Sequence, residues 1–427
     1  MVIPRTYFNV CRLSGLFNKA LSLILHSFYL KRSKIQILHK EYYITFAVTF
    51  YTFMITPDLS FESVLFIFFT VMFAIQMWFY CRVFSKIAFL KNKDKPLYSE
   101  PVTIIICAKN EAENLRKNLP LVLEQNYPSF DVIVVNDCST DETPDVLKDF
   151  EKKYKHLRTI TIKQEGHSLL GKKYPLTLGI KGAQNELLLL TDADCYPKSG
   201  KWLEKMIRNF SGEKDIVLGY GAYEKLPGFL NKLIRFDAFY IALQYFSFAL
   251  IGKPYMGVGR NLAYRNSLFF KNKGFAKQNH ILSGDDDLFI NRVANRINTA
   301  IELDKESHTV SKAKTTFTEW FHQKRRHIST SKHYKRVTKQ MLGALTLSSF
   351  FFILSFLLLV IMNYALYLIL SMFLLRLTIQ FIIFKKSMQR LDEKDLLLFS
   401  PLMEIIMMFL YPALAIYNIL IKGNKWK

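Results

Sequence analysis

Two carboxylates one residue apart, Asp192 and Asp194, close the run LLLLTDADCYP (Leu187–Pro197). Four consecutive leucines suit a strand covered on both faces, and the acids follow where such a strand surfaces. Hard oxygen ligands at a strand exit can share a divalent cation that also holds a diphosphate. The pair also reads as a simple turn, because Asp bonds its own backbone there. A second acidic run, Ser283–Asp287 (SGDDD), precedes the amphipathic stretch Leu288–Arg296. Three adjacent carboxylates repel one another, which raises one pKa toward neutrality as a general base requires. Capping of the helix that follows is the alternative use of these acids, and it does not exclude the first.

Acids placed for chemistry need elements that hold them at one spot. Val102–Cys107 (VTIIIC) and Asp131–Val135 (DVIVV) are short β-branched runs bounded by turn formers and read as buried parallel strands. Glu111–Gln125 has a helical pattern between them, and Thr143 and Pro144 offer an N-cap and an N1 proline for a helix to about Lys153. Strand Leu157–Ile162, helix Tyr174–Ala183 and strand Glu186–Thr191 follow. This alternation predicts an α/β domain with a mixed, mainly parallel sheet and helices on both faces, which gathers ligands at the carboxyl ends of its strands. At those ends stand Ala108–Glu111, Asn136–Ser139 and Asp192–Asp194, three polar clusters on one edge.

The chain has 427 residues, half of them hydrophobic, and its 37 phenylalanines crowd toward both ends while the middle has the mixed composition of a globular domain. Phe61–Cys81 carries one charge, Glu62, and is long enough to cross a bilayer. Met341–Met362 and Tyr364–Phe384 follow one another as a helical hairpin, and the last run, Leu396–Ile421, contains Pro401, Glu404 and Pro412 and so is bent or partly protein-facing. Tyr42–Thr56 is short, either a second span or an interfacial helix. Phe229–Ile251, interrupted by Lys232, Arg235 and Asp237, suits a helix lying at the membrane surface. The expected organisation is a basic segment 1–40, a membrane region 41–90 with one or two spans, a globular domain 98–311, an interfacial region 312–340 and a membrane region 341–421 of about three spans.

Basic residues after the first span (Arg82, Lys86, Lys91) and before the second group (Lys332, Lys335, Arg336, Lys339) place the globular domain in the cytoplasm. Lys422, Lys425 and Lys427 run against this, because an odd number of carboxy-terminal spans leaves them outside. The net charge of +23 comes with no nucleic-acid motif, so anionic lipid headgroups and an anionic substrate account for it better. The five cysteines show no close pairing and read as free thiols in a reducing compartment.

Five motifs in this order, ICAKNEAENL, VVNDCSTD, LLLLTDADC, SGDDDLFINRV and QKRRH, resemble a membrane-bound family 2 glycosyltransferase of the GT-A fold, the group that includes cellulose, chitin, hyaluronan and poly-N-acetylglucosamine synthases. The resemblance runs from about Val102 to Lys339. It implies that Ala108, Glu111 and Asp137 contact the nucleoside, with Asp137 accepting from the base unless it serves a capping turn with Ser139. Asp192 faces the ribose or phosphates. Asp194, with Asp192 beside it, binds Mg2+ or Mn2+. Lys173, or the adjacent Lys172, falls where the family often keeps a lysine near the donor, although a solvated pair reads almost as well. The second acid of the Gly-Asp-Asp segment, Asp286, becomes the base, with Asp285 as the fallback. Gly259 and Asn261 open a strand near the acceptor.

The last motif departs from the family. Synthases carry Gln-x-x-Arg-Trp; here Gln323 and Arg326 match as donor contacts while His327 replaces the tryptophan. An imidazole offers less stacking area, which counts against long-chain polymerisation. Trp320, one turn earlier, either substitutes for it or anchors at the interface. The resemblance therefore implies an inverting transferase at the cytoplasmic face of the inner membrane, a multi-pass protein moving a sugar from a nucleotide-sugar, UDP favoured, to a lipid-linked or saccharide acceptor. A processive polysaccharide synthase and a silent scaffold subunit of an envelope glycan complex are the alternatives.

Overall fold

The computed structural model describes residues 60–91, 98–163, 171–281 and 283–420. The chain divides into compact units Met1–Leu65 and Phe66–Lys427. Of the first, only residues 60–65 are described. The expected basic segment 1–40 and the segment Tyr42–Thr56 lie outside the described residues.

Among the described residues, ten strands form two sheets: β1 (Val102–Ala108), β2 (Phe130–Asp137), β3 (Leu157–Ile162), β4 (Leu187–Asp192), β5 (Cys195–Pro197), β6 (Ile216–Leu218), β7 (Gly221–Tyr223), β8 (Leu262–Arg265), β9 (Thr299–Ile301) and β10 (Thr309–Ser311). The main α-helices are α1 (Phe61–Trp78), α2 (Ala112–Leu123), α3 (Thr143–Lys153), α4 (Lys173–Gly182), α5 (Trp202–Ile207), α6 (Phe229–Leu250), α7 (Asn266–Lys271), α8 (Asp287–Val293), α9 (Phe317–Ile328), α10 (Arg336–Ile361), α11 (Leu366–Leu391) and α12 (Ser400–Leu420). The larger sheet has the order β3-β2-β1-β4-β8-β6-β9 and the smaller β5-β10-β7. The first four strands run parallel, and β8 joins antiparallel to both β4 and β6.

The apolar runs dictate this arrangement. Strands β1 and β4 are buried along nearly their whole length, so alternate side chains feed two cores. Ile104 and Ile106 join Val132, Val134, Leu115, Leu119, Trp202 and Met206 on one face. Ile105, Leu188 and Leu190 join Leu176, Ile180 and the aromatic face of α6 on the other. Helix α4 lies close against the sheet because Gly179 has no side chain: a Cβ there would sit 2.7 Å from Ile105 Cγ2 and 3.1 Å from Val135 Cγ2. The expected N-cap at Thr143 is corrected. Asp141 Oδ1 accepts the Thr143 N–H at 3.0 Å, which leaves Thr143 Oγ1 to accept from Glu111 N at 2.9 Å across the strand ends.

Among the described residues, five helical segments are long and apolar enough to cross a membrane: Phe61–Ala88, Phe229–Leu250, Arg336–Ile361, Leu366–Leu391 and Lys394–Asn418. The second of these, α6, is read from sequence as a surface helix, yet most of its residues are buried in the protein. Two of its three interrupting charges are matched inside the molecule, and the third, Lys232, lies over the Phe399 ring. Arg235 binds Glu393 and Asp395, and Asp237 is held by Lys324 Nζ at 2.6 Å and by the Tyr411 hydroxyl. Arg376, in the middle of α11, meets Glu404 of α12 at 2.7 Å. Gln380 donates to the same carboxylate at 2.8 Å and Tyr80 at 3.1 Å, while Gln76 Nε2 bonds Ser348 Oγ at 2.7 Å. Glu404 therefore faces protein, as its place in an apolar run demands.

Gly179→Val tests the helix-to-sheet contact. Its branched side chain has to displace Ile105 and Val135, and the expected loss is about 1–3 kcal/mol of stability, read as a lower thermal unfolding midpoint of the detergent-solubilised protein.

Candidate active site

The parallel register sets the site. Cys107 of β1 is level with Val135 of β2 and with Asp192 of β4, so Ala108, Asp137 and Asp192 emerge along one edge. The loops after β1 and β2 are laced together. Asn110, at φ 56°, donates its N–H to Ser139 Oγ at 2.9 Å, and its side-chain oxygen accepts from Thr140 N at 2.8 Å. Asp141 Oδ2 accepts from Ala112 N at 3.2 Å. Capping thus falls to Asp141, and among the described residues the Asp137 carboxylate has no hydrogen-bond or ion-pair partner. Glu111 accepts from Asn114 Nδ2 at 2.5 Å, and burial raises its carboxyl above the ordinary range.

At the end of β4, Lys172 Nζ makes a direct ion pair with Asp192. Burial alone would raise the Asp192 carboxyl; the Lys172 ammonium, backed by Arg260 and Arg326, more than offsets it and holds that group low. Asp194 stands in the open cleft two residues on. Surrounding protein and then the negative charge of Asp192 push its carboxyl up. The ligand atoms of Asp192, Asp194 and Cys195 lie within 4.8 Å of one another. The carboxylates of Asp192 and Asp194 are hard ligands close enough to share a Mg2+ or Mn2+ ion.

The SGDDD segment divides its acids by task. Gly284, at φ 97°, makes the turn, and Gln278 Nε2 holds its carbonyl at 2.9 Å. Asp287 is buried, bonded by the Thr330 and Tyr334 hydroxyls, and fixes α8 against the chain entering α10. Asp286 accepts from Gly259 N on Oδ2 and from Asp287 N on Oδ1, both at 2.7 Å. Burial, then the charges of Asp285 and Asp287, raise the Asp286 carboxyl to about 8, against the smaller opposing pull of the two backbone N–H groups.

Lys173, read from sequence as a donor contact, is a correction. It is buried, and its ammonium donates to the carbonyls of Ile281 and Ser283, so it braces the acidic loop from beneath. The helix start turns Lys172 toward Asp192 and its neighbour away, a choice of helical phase that spacing alone leaves undecided.

Helix α9 supplies the remaining wall. Thr316 caps it, its Oγ1 accepting from Glu319 N at 3.3 Å. Gln323, Arg326 and His327 face a cavity of about 450 Å³, whose walls also include Lys172, Asp192, Asp285 and Asp286. His327 is held neutral, since the surrounding protein and then the cations Lys324, Arg326 and Arg260 disfavour its protonation. Trp320 is buried in the cavity wall, with Phe317 5.7 Å away. Tyr240, Tyr255 and Tyr411 also line the cavity, together with Leu342 and Thr346 of α10. The cavity thus gathers Asp192, Asp285, Asp286, Gln323 and Arg326, while Ala108, Glu111, Asp137 and Asp194 are not in its lining and stand on the strand ends and the loops that follow them. Sequence reasoning missed Arg260, which lines the cavity immediately after the glycine that bonds Asp286. A lone arginine at a strand start carries no signal of that kind.

Residues 103–272 match the family described as Glycosyl transferase family 2. Glycosyltransferase AglE of Haloferax volcanii is 29% identical over 140 residues, 32% of this chain and 44% of that one. Poly-beta-1,6-N-acetyl-D-glucosamine synthase of Staphylococcus epidermidis is 27% identical over 113 residues, 26% of each chain. The chain thus spans less than half the length of these two relatives. Among solved structures, the mannosyltransferase PcManGT of Pyrobaculum calidifontis, in complex with GDP-Man and Mn2+, superposes with TM-score 0.51 at 17% identity, covering 81% of this chain and 98% of that one. With these matches added to the sheet order and the aligned strand ends, residues 103–272 form a family 2 glycosyltransferase domain of GT-A fold, set among apolar membrane-type helices.

Proposed function

We propose that the chain transfers a sugar, with inversion, from a nucleotide-diphosphate donor to a lipid-linked or saccharide acceptor at the cytoplasmic face of the inner membrane. The observation that carries this reading is one cavity with Asp192 and Lys172 on one wall, Asp286 on a second and Gln323 and Arg326 on a third. The nucleoside, uridine in preference, lies along Ala108, Glu111 and Asp137. Asp194 and Asp192 hold a divalent cation, which offsets the charge of the leaving diphosphate. Asp286 removes the proton of the acceptor hydroxyl, whose oxygen forms the new bond to the anomeric carbon as the bond to the diphosphate oxygen breaks. Attack from the face opposite the nucleotide turns an α-linked donor into a β-linkage. The two N–H groups on Asp286 aim its carboxylate and leave its remaining lone pairs for the hydroxyl.

The tyrosine-rich lining of the cavity, which includes Leu342 and Thr346 of α10, favours a processive synthase as the second reading. The imidazole of His327, in place of an indole, favours single transfer. Product length on a lipid primer separates them: a ladder of long chains supports the synthase, and one added sugar the monotransferase.

Asp286→Asn removes the base and is expected to lower kcat by about 10²–10⁴-fold while the Kd for the nucleotide-sugar stays within a few-fold. Undiminished turnover rules out this assignment. Because Asp286 is raised to about 8, kcat/KM of the wild type should climb with pH as this group ionises, giving an acidic limb well above the ordinary carboxylate range. Asp285→Asn removes a neighbouring negative charge and should move that limb to lower pH. Asp194→Ala is expected to abolish the Mn2+ dependence of donor binding, measured by titration calorimetry; a variant that keeps it would sink the metal assignment.

A further inference from the structure

Arg260 carries a cation that has no part in the transfer step as proposed. Its guanidinium lies 4.2 Å over the Tyr223 ring and is pinned by three neutral acceptors. Nη1 donates to Ala222 O at 3.0 Å and to Ser311 Oγ at 2.6 Å, and Nη2 donates to Gly221 O at 2.8 Å. Gly221 makes room for it, since a Cβ there would sit 3.2 Å from Arg260 Nε. Three of its five donors are thereby used. Among the described residues, Nε–H and the second Nη2 proton have no hydrogen-bond partner, and no carboxylate lies within 4.0 Å of the group. Asp192, the adjacent acid, is taken by Lys172.

Arg260 lines the cavity together with Asp192, at the end of β4, and Gly259, whose N–H holds Asp286. A guanidinium in a protein wall, locked in orientation but lacking an anionic partner, is set up to receive one. The fork geometry suits two oxygens of a phosphate group better than a point contact.

Resting on the glycosyl-transfer reading, we infer that Arg260 is an oxyanion-binding residue of the cavity and takes oxygens of the donor's diphosphate. Lys172 and Arg326 approach the same volume from other elements, so the diphosphate would sit in a ring of cations with Arg260 as its rigid member.

The test is the affinity of the detergent-solubilised full chain for UDP, UMP and uridine in the presence of Mn2+, for wild type, Arg260→Lys, Arg260→Gln and Ser311→Ala. Ser311→Ala removes one pin and keeps the cation. The expected result is UDP binding weakened on the order of 10- to 100-fold in Arg260→Gln and less in Arg260→Lys. Uridine binding should not change, and Ser311→Ala should stay close to wild type. Equal weakening in Ser311→Ala and Arg260→Lys overturns the inference in favour of a purely structural stitch. So does a loss confined to a short polyprenyl phosphate, run in parallel, which would place the anion on the acceptor. If Arg260→Gln fails to fold, the comparison of Arg260→Lys with Ser311→Ala still decides. Absence of UDP binding by the wild type would instead count against the glycosyl-transfer reading itself.

Discussion

Parallel strand alignment is the constraint on which the site depends. Because β1 is hydrogen-bonded to β2 on one side and β4 on the other, Cys107 is level with Val135 and with Asp192 at once. Neighbouring strands are about 4.8 Å apart, so the three polar exits fall within roughly 10 Å of one another. No polar contact is needed to bring them together. Burial of isoleucine, valine and leucine on both sheet faces fixes the register, since a slip of one residue would turn every apolar side chain to the wrong core. The loops then add rigidity through the Asn110, Ser139 and Thr143 bonds.

Charge is distributed within this frame by contrast. Asp192 has a lysine in contact and stays ionised, whereas among the described residues Asp194 and Asp286 have no contact cation and are pushed up. The three acids of the SGDDD segment illustrate the same logic over successive residues. Asp287 is used up by two hydroxyls as an anchor. Asp286 is aimed by two backbone N–H groups. Beneath them the ammonium of Lys173 satisfies the loop carbonyls, a cation spent on backbone rather than on substrate.

Much of this was legible in the sequence because it rests on local pattern. The β-branched runs, the leucine run and the acids after them identified the four parallel strands β1 to β4 to within a residue or two, while the short strands β5, β6, β7, β9 and β10 carry too few residues to show a pattern. What escaped depends on partners distant in the chain. Arg235 and Asp237 made α6 look too polar to be enclosed, but Glu393, Asp395, Lys324 and Tyr411 neutralise them from elsewhere. Lys172 and Lys173 differ only by helical phase, which is set by tertiary packing of α4 on the sheet. Arg260 has no sequence signature at all; its meaning comes from Tyr223, Ser311 and the cavity it borders.

The pairing of Arg376 with Glu404 bears on how the protein is made. Either residue alone, deep in a helix entering lipid, adds about 2.5–3.5 kcal/mol to the cost of insertion. Together, with Gln380, Tyr80 and Gln76 completing the network, they cancel. Helices α11 and α12 are joined by the short stretch around the 3-10 segment Lys394–Phe399. Lateral release of both from the insertion machinery as a paired hairpin would therefore avoid exposing an isolated charge to acyl chains.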